Sequence, residues 1–224
     1  MAHTLIGNSR YSLILLMVPW NSKIVFFLFA SVSNRRINSK DSMGNTEVLK
    51  RGDVQLTSAG SGIAHSERTY GPTAAHFLQI WSTPSTPNLK PQYYTRHFSD
   101  EEKQNKWARV VARFGSQGVS SERDGEGPAP VQSPLTMYAS LLSPTTKLEK
   151  PMEGVKAYIH VVQTSGYNVG KATGSKVKIG SGDTELTLGE GDGAYIFVGD
   201  SGKSLEVQNV GDTVAEVVLF DIEA

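Results

Sequence analysis

The 224-residue chain contains no cysteine, which excludes disulfides and thiolate metal sites and is compatible with a reducing compartment. It carries no excess of either charge. Lys and Arg total 22 and Asp and Glu total 22, so no overall positive field argues for nucleic acid and no acidic excess argues for a basic partner. It also has no long apolar run: residues 12–18 and 24–30 are separated by Pro19, Trp20, Asn21, Ser22 and Lys23, and neither run approaches the ~20 residues that span a bilayer. Direct nucleic-acid binding and a membrane helix are therefore not expected. What is present is 38% apolar residues and 22 glycines, enough for one large or two small all-β units with a real core.

The stretch DVQLTSAGSGIAHSE, residues 53–67, organises the rest. Gly60 and Gly62 mark a turn directly before His65 and Glu67, two metal-capable side chains at i and i+2. On a strand that spacing puts both on one face, so an imidazole and a carboxylate enter one cavity; on an outward face the same pair is merely solvated. His76 opens a strand expected over 75–81 and is either a third ligand brought close by strand pairing or a hydrogen-bonded or exposed histidine. His97 is expected in a loop before a short helix. His160, within GVKAYIHVV, reads as a core or cavity histidine without a metal.

Strands are expected over 47–49, 54–56, 63–67 and 76–82, broken by Gly52, Gly60, Gly62 and Pro72. Ser99 with Glu102 three residues on forms a capping box that predicts a helix over 100–107, and 107–113 reads as a returning strand. Residues 115–134, rich in Gly, Ser, Pro and charge, read as a mobile surface connector. After it, Val177 and Ile179, Leu186 and Leu188, and Leu205 and Val207 alternate with polar residues as half-buried strands, while GVKAYIHVV and AEVVLFDI are apolar on both faces and belong at the centre. Glycine turns recur between them in the rhythm of a jelly roll. GEGDG, residues 189–193, lies between strands and lacks the lysine and hydroxyl of a phosphate-binding loop.

Three strings carry a resemblance. KDSMGNTEVLKRGDVQLTSAGSGIAHSE (40–67), HFLQIW (76–81) and PQYYTRHFSDEEK (91–103) resemble the pirin family of bicupins, and residues 137–222 resemble the second cupin of its quercetinase-like branch, taken as fungal in type. The resemblance implies an all-β chain of two jelly-roll cupin domains, the first incomplete: an atypical segment 1–39, a cupin over 40–114, a connector over 115–134 and a second cupin over 135–224. It implies metal-dependent oxygenation of the quercetin 2,3-dioxygenase type on a flavonol-like molecule, with a divalent metal, Fe(II), bound by His65 and Glu67 and with Glu67 doubling as base. A second implied reading is a non-catalytic regulatory protein, nuclear or cytoplasmic, that contacts transcription proteins.

One departure bears on both. The family completes its metal face with a His-x-His pair upstream of Asp41, where this chain has Asn21, Ser22 and Lys23, and His3 is the sole histidine before His65. Non-haem oxygenases hold iron with two histidines and a carboxylate. Losing even a hydrogen-bond partner behind a ligand costs about 10–100-fold in metal affinity, and losing two imidazoles costs more, so weak or lost oxygenation is expected. The segment 1–39 stands as a lost site, a replacement of the first strands, or a misread gene start or retained intron. Within it, 24–32 reads as a buried strand; Arg10 ahead of an apolar run, with Ala30 and Ser31 behind it, leaves a secretory leader as the other reading, against which Lys23 counts.

Overall fold

Short strands punctuated by glycine are what period-two patterning produces, and the computed structural model consists of them. It describes residues 36–70, 76–165, 174–181, 184–198 and 203–223, together with the backbone of 16–17 and 25–30. Positions 21–23 and most of the leader reading lie outside the described residues. The chain forms two units, residues 1–97 with 112–133 and residues 98–111 with 134–224. Among the described residues no helix is long and apolar enough to cross a membrane.

The first unit is built from β1 (Leu16–Met17), β2 (Val25–Ala30), β3 (Ile37–Asp41), β4 (Thr46–Leu49), β5 (Asp53–Ser58), β6 (Ala64–Thr69), β7 (Phe77–Ser82) and β8 (Gln92–His97). They pair antiparallel in two four-stranded sheets, ordered β1-β6-β3-β4 and β7-β2-β5-β8. The strand expected over 24–32 is thus present as β2. Phe77 packs on buried Ile37 and Leu49, and Trp81 packs on Ala59 and Ile63, which sets the two sheets face to face.

Two turns fix this arrangement. Asp41 ends β3 by accepting from the N–H groups of Met43 and Asn45 and from the Asn45 side-chain amide at 2.7–3.0 Å, an Asx-type turn that returns the chain as β4. Between β5 and β6, Gly60 has φ +56°, and a Cβ there would meet the Leu89 carbonyl oxygen at 2.0 Å. Only glycine fits both the left-handed backbone and that close approach.

Three sequence expectations are corrected. The helix expected over 100–107 is the single turn α1 (Asp100–Lys103): the capping box is made, with Glu102 N–H donating to Ser99 Oγ and Ser99 N–H to Glu102 Oε2, but Gln104 leaves helical dihedrals and Asn105 has φ +53°. His97 ends β8 instead of lying in a loop, its Nδ1 2.6 Å from Asp53 Oδ1. The stretch 115–133 belongs to the first unit instead of joining two domains; residues 115–127 lie at the surface as expected, exposed or half-buried, but they are tied to a buried side chain. Buried Arg96 donates to the carbonyls of Thr95, Ser120, Glu122 and Arg123 at 2.6–3.1 Å. A guanidinium has five donors to satisfy when buried, and this polar segment supplies the acceptors. It ends in the buried strand β10 (Ala129–Val131), where Val131 O accepts from Phe114 N–H at 2.8 Å.

β9 (Ala108–Arg113) carries the chain between the units. The second unit adds β11 (Leu135–Leu142), β12 (Lys147–Pro151), β13 (Lys156–Val161), β14 (Lys176–Ser181), β15 (Thr184–Gly189), β16 (Gly193–Phe197), β17 (Ser204–Asn209) and β18 (Ala215–Ile222). Neighbours run β9-β11-β18-β13-β16 in one sheet and β12-β17-β14-β15 in the other. β13 and β18 are central, as their two-faced apolarity implies. Their inward residues Ala157, Ile159, Val161, Ala215, Val217 and Leu219 join Val177, Ile179, Leu188, Leu205 and Val207 in one apolar cluster. Leu186 departs from the expected alternation: it is 50% exposed, whereas Leu188 on the same face of β15 is buried.

Candidate functional site

β6 is the middle strand that carries the chemistry. It lies between β1 and β3, with His65 opposite Leu16 on one side and Asp41 on the other, and Glu67 opposite Ser39. Alternation buries His65 and Glu67 together and leaves Arg68 outside. Nε2 of His65 and Oε1 of Glu67 are 3.7 Å apart, too long for a good hydrogen bond. Burial lowers the His65 pKa against the opposing pull of Asp41, so the ring is neutral and able to ligate at neutral pH. Burial pushes the Glu67 carboxyl up to about 7. Its Oε2 is buried without a hydrogen-bond partner among the described residues.

The pair is therefore brought together as the spacing implies, but the third ligand is not. His76 precedes β7, half-buried, and among the described residues no group of three or more His, Asp or Glu side chains is placed to hold a metal. Residues 18–24 contain no His, Cys, Asp or Glu. Two neutral-to-acidic donors on one face fit a corner of a divalent-ion site; they do not fit a whole one. His160 lies on β13 in the second unit, its ring stacked at 6.5 Å on Tyr158.

Sequence reasoning missed the wall opposite the pair. Ile37, Ser39 and Asp41 stand in register with Thr69, Glu67 and His65, so all six share the face on which Phe77 packs. Along β7, Gln79 and Trp81 follow Phe77 at period two. Gln79 and Gln55 both stand opposite Leu28, on either side of β2, and Tyr93 stands opposite Thr57. These residues line the same interior from the second sheet. Tyr93 is held at its rim by Arg123, whose guanidinium lies 5.2 Å over the ring and pairs with Glu47. Burial raises the Tyr93 hydroxyl pKa, with Glu47 and Asp41 adding to the shift and Arg123 opposing it. The one trace of it in the sequence, a glutamine in each of β5 and β7, does not by itself tell which face is buried.

Residues 15–82 match the family model described as Pirin. The chain is 35% identical over 91 residues to a quercetin 2,3-dioxygenase of Escherichia coli K12, covering 39% of this chain and 38% of that protein. It is 31% identical over 83 residues to a pirin-like protein of Caulobacter vibrioides, covering 37% and 36%. The chain thus matches less than half the length of these relatives, and both are bacterial where a fungal type is expected from the sequence. Among solved structures it resembles the bacterial pirin YhhW of Escherichia coli in complex with nickel(II), at TM-score 0.69 and 22% identity over 93% of this chain and 76% of that one. That likeness establishes the cupin β-sandwich fold.

Proposed function

We propose that this chain, a pirin-family cupin over residues 15–82 with quercetin 2,3-dioxygenase-like relatives, binds a flavonol-like small molecule beside His65 and Glu67 and oxygenates it weakly or not at all. The observation that carries this reading is the donor set: one imidazole and one carboxylate on a buried face, with no third His, Asp or Glu placed to complete a metal group among the described residues, the neighbouring Asp41 carboxylate being taken up by its turn with Met43 and Asn45. His65 and Glu67 then hold a divalent ion, Fe(II) in this reading, only loosely. Glu67 keeps a role that needs no ion. With its pKa near 7 both protonation forms are populated at neutral pH, and Oε2 can take the proton of an acidic hydroxyl on a bound guest. The same incomplete donor set favours a second reading, in which the cupin is a binding module for a regulatory protein partner and no chemistry follows.

The test is metal content by elemental mass spectrometry after dialysis without chelator, paired with oxygen uptake on quercetin. The expected result is metal well below one ion per chain and turnover at least about 100-fold below that of the double variant N21H/K23H, which restores the histidine pair. Stoichiometric metal and equal turnover in the unaltered chain would sink the proposal.

A further inference from the structure

Among the described residues of the second unit, β16 is the end strand of its sheet and β15 the end strand of the other. Val198 N–H donates to Val155 O at 2.9 Å, and the bonds of an antiparallel ladder fall on alternate residues. The pairs Ala157–Ile196 and Ile159–Ala194 are therefore the bonded ones, and the N–H and C=O groups of Tyr195 and Phe197 point away from β13 to the open edge. Proteins blunt such edges with lysine, proline or another charge. β16 carries none of these. Its sequence is GAYIF, with Tyr195 65% and Phe197 79% exposed.

Beside this edge lies a pocket of about 360 Å³, walled by Ile179, Leu186, Ile196, Val198 and Leu205; among the described residues Lys203 is the one charged side chain that lines it. Edge and pocket together define the occupant. A strand laid along β16 finds backbone partners at Tyr195 and Phe197, and its side chains alternate between faces. Every second one enters the pocket, and those between lie against the rings of Tyr195 and Phe197. A second copy of this chain does not meet that demand. Paired through its own β16, it would offer Ala194 and Ile196 on the pocket side, and both are already packed on its own apolar cluster. A segment with no sandwich of its own has those side chains to spare. Lys156 stands opposite Phe197, which matches an acidic residue at that end of the guest. We propose that the β16 edge takes up an extended, alternately aliphatic segment of a partner protein, acidic at its Phe197 end, as an added strand of the sheet. The inference rests on the binding-module reading and goes beyond it in naming the surface and the chemistry of the partner; its residues all lie in the second unit, so it needs nothing from the metal pair.

Selection of displayed random peptides on the full chain tests it, followed by titration of the enriched peptides and hydrogen exchange with and without them. The enriched peptides are expected to alternate aliphatic residues and to carry an acidic end. Phe197→Lys and Leu186→Glu each weaken their binding at least about tenfold, the loss of one good anchor. Both positions are exposed, so the melting temperature holds. The amides of Tyr195 and Phe197 exchange fast in the free protein and are slowed by the peptide, whereas those of Ala194 and Ile196 are slow throughout. Peptides that bind the variants as tightly, or that leave the Tyr195 and Phe197 amides unprotected, overturn the edge and leave the binding-module reading in place. A library from which nothing is enriched overturns both. A dimer of the unaltered chain that Phe197→Lys dissociates would overturn the peptide in favour of a second copy.

Discussion

A single residue shows how far burial alone can reset chemistry. Glu67 is 3% exposed, and desolvation lifts its pKa from 4.5 to about 7. A folded-state value above the unfolded one means that this residue's contribution to stability is intact below pH 4.5, falls as pH rises towards 7, and stays lost beyond it. At about 1.4 kcal/mol per unit the total is roughly 3 kcal/mol. Glu67→Gln, measured by urea unfolding of EDTA-treated protein, is therefore expected to match the parent at pH 4 and to be more stable by that order at pH 8. A pH-independent difference would show that the carboxylate keeps its charge cheaply inside the fold. At this scale the sequence was half legible. His65 and Glu67 could be read because spacing of two on a strand has one geometric meaning, whereas Gln55 and Gln79 could not, because a lone glutamine in a strand says nothing about which face is buried until Phe77 is seen on Ile37 and Leu49.

At the scale of elements, strands were legible and their supports were not. Alternation located β5, β6 and β7, and the capping box located the start of α1, yet the end of that helix depends on Asn105 adopting φ +53°, which no propensity announces. Composition misled most over 115–134. Gly, Ser and charge suggested a connector, but its carbonyls at Ser120, Glu122 and Arg123 are the acceptors for buried Arg96. That contact spans more than twenty residues of chain and leaves no local trace. Arg96→Met keeps the bulk of the stem and removes the guanidinium, stranding acceptors that were paired. A loss of about 3 kcal/mol or more is expected, together with faster proteolytic cleavage within 115–128 than in the parent. Cleavage at an unchanged rate would mean the segment is held by something other than Arg96.

Across the whole molecule the two units solve different problems with one architecture. The second devotes its interior to packing: Ile159, Val161, Val177, Val207, Val217 and Leu219 are fully or almost fully buried in one apolar cluster, and the apolar area removed from water is what holds a fold together. The first places Gln55, Gln79, Tyr93, His65 and Glu67 where such a core would sit; the Gln79 amide, Oε1 of Gln55, the Tyr93 hydroxyl and Oε2 of Glu67 have no hydrogen-bond partner among the described residues, and a buried group left so costs about 1–3 kcal/mol. The fold class was legible in both units because jelly-roll rhythm is a matter of turns and period; this division of labour was not, since both units have strands of similar composition. Local opening free energy follows buried apolar contact, so native-state hydrogen exchange is expected to protect the central amides of β13 and β18 more strongly than those of β3 and β6. A guest that binds only the folded first unit adds RT ln(1 + [L]/Kd) to its stability, so quercetin at about 100 times its dissociation constant is expected to slow exchange in β3 and β6 by roughly 100-fold while leaving β13 and β18 unchanged. Equal protection in the two units without ligand, or slowing that favours the second, would mean that the polar interior is no weakness and that its groups are satisfied within the protein.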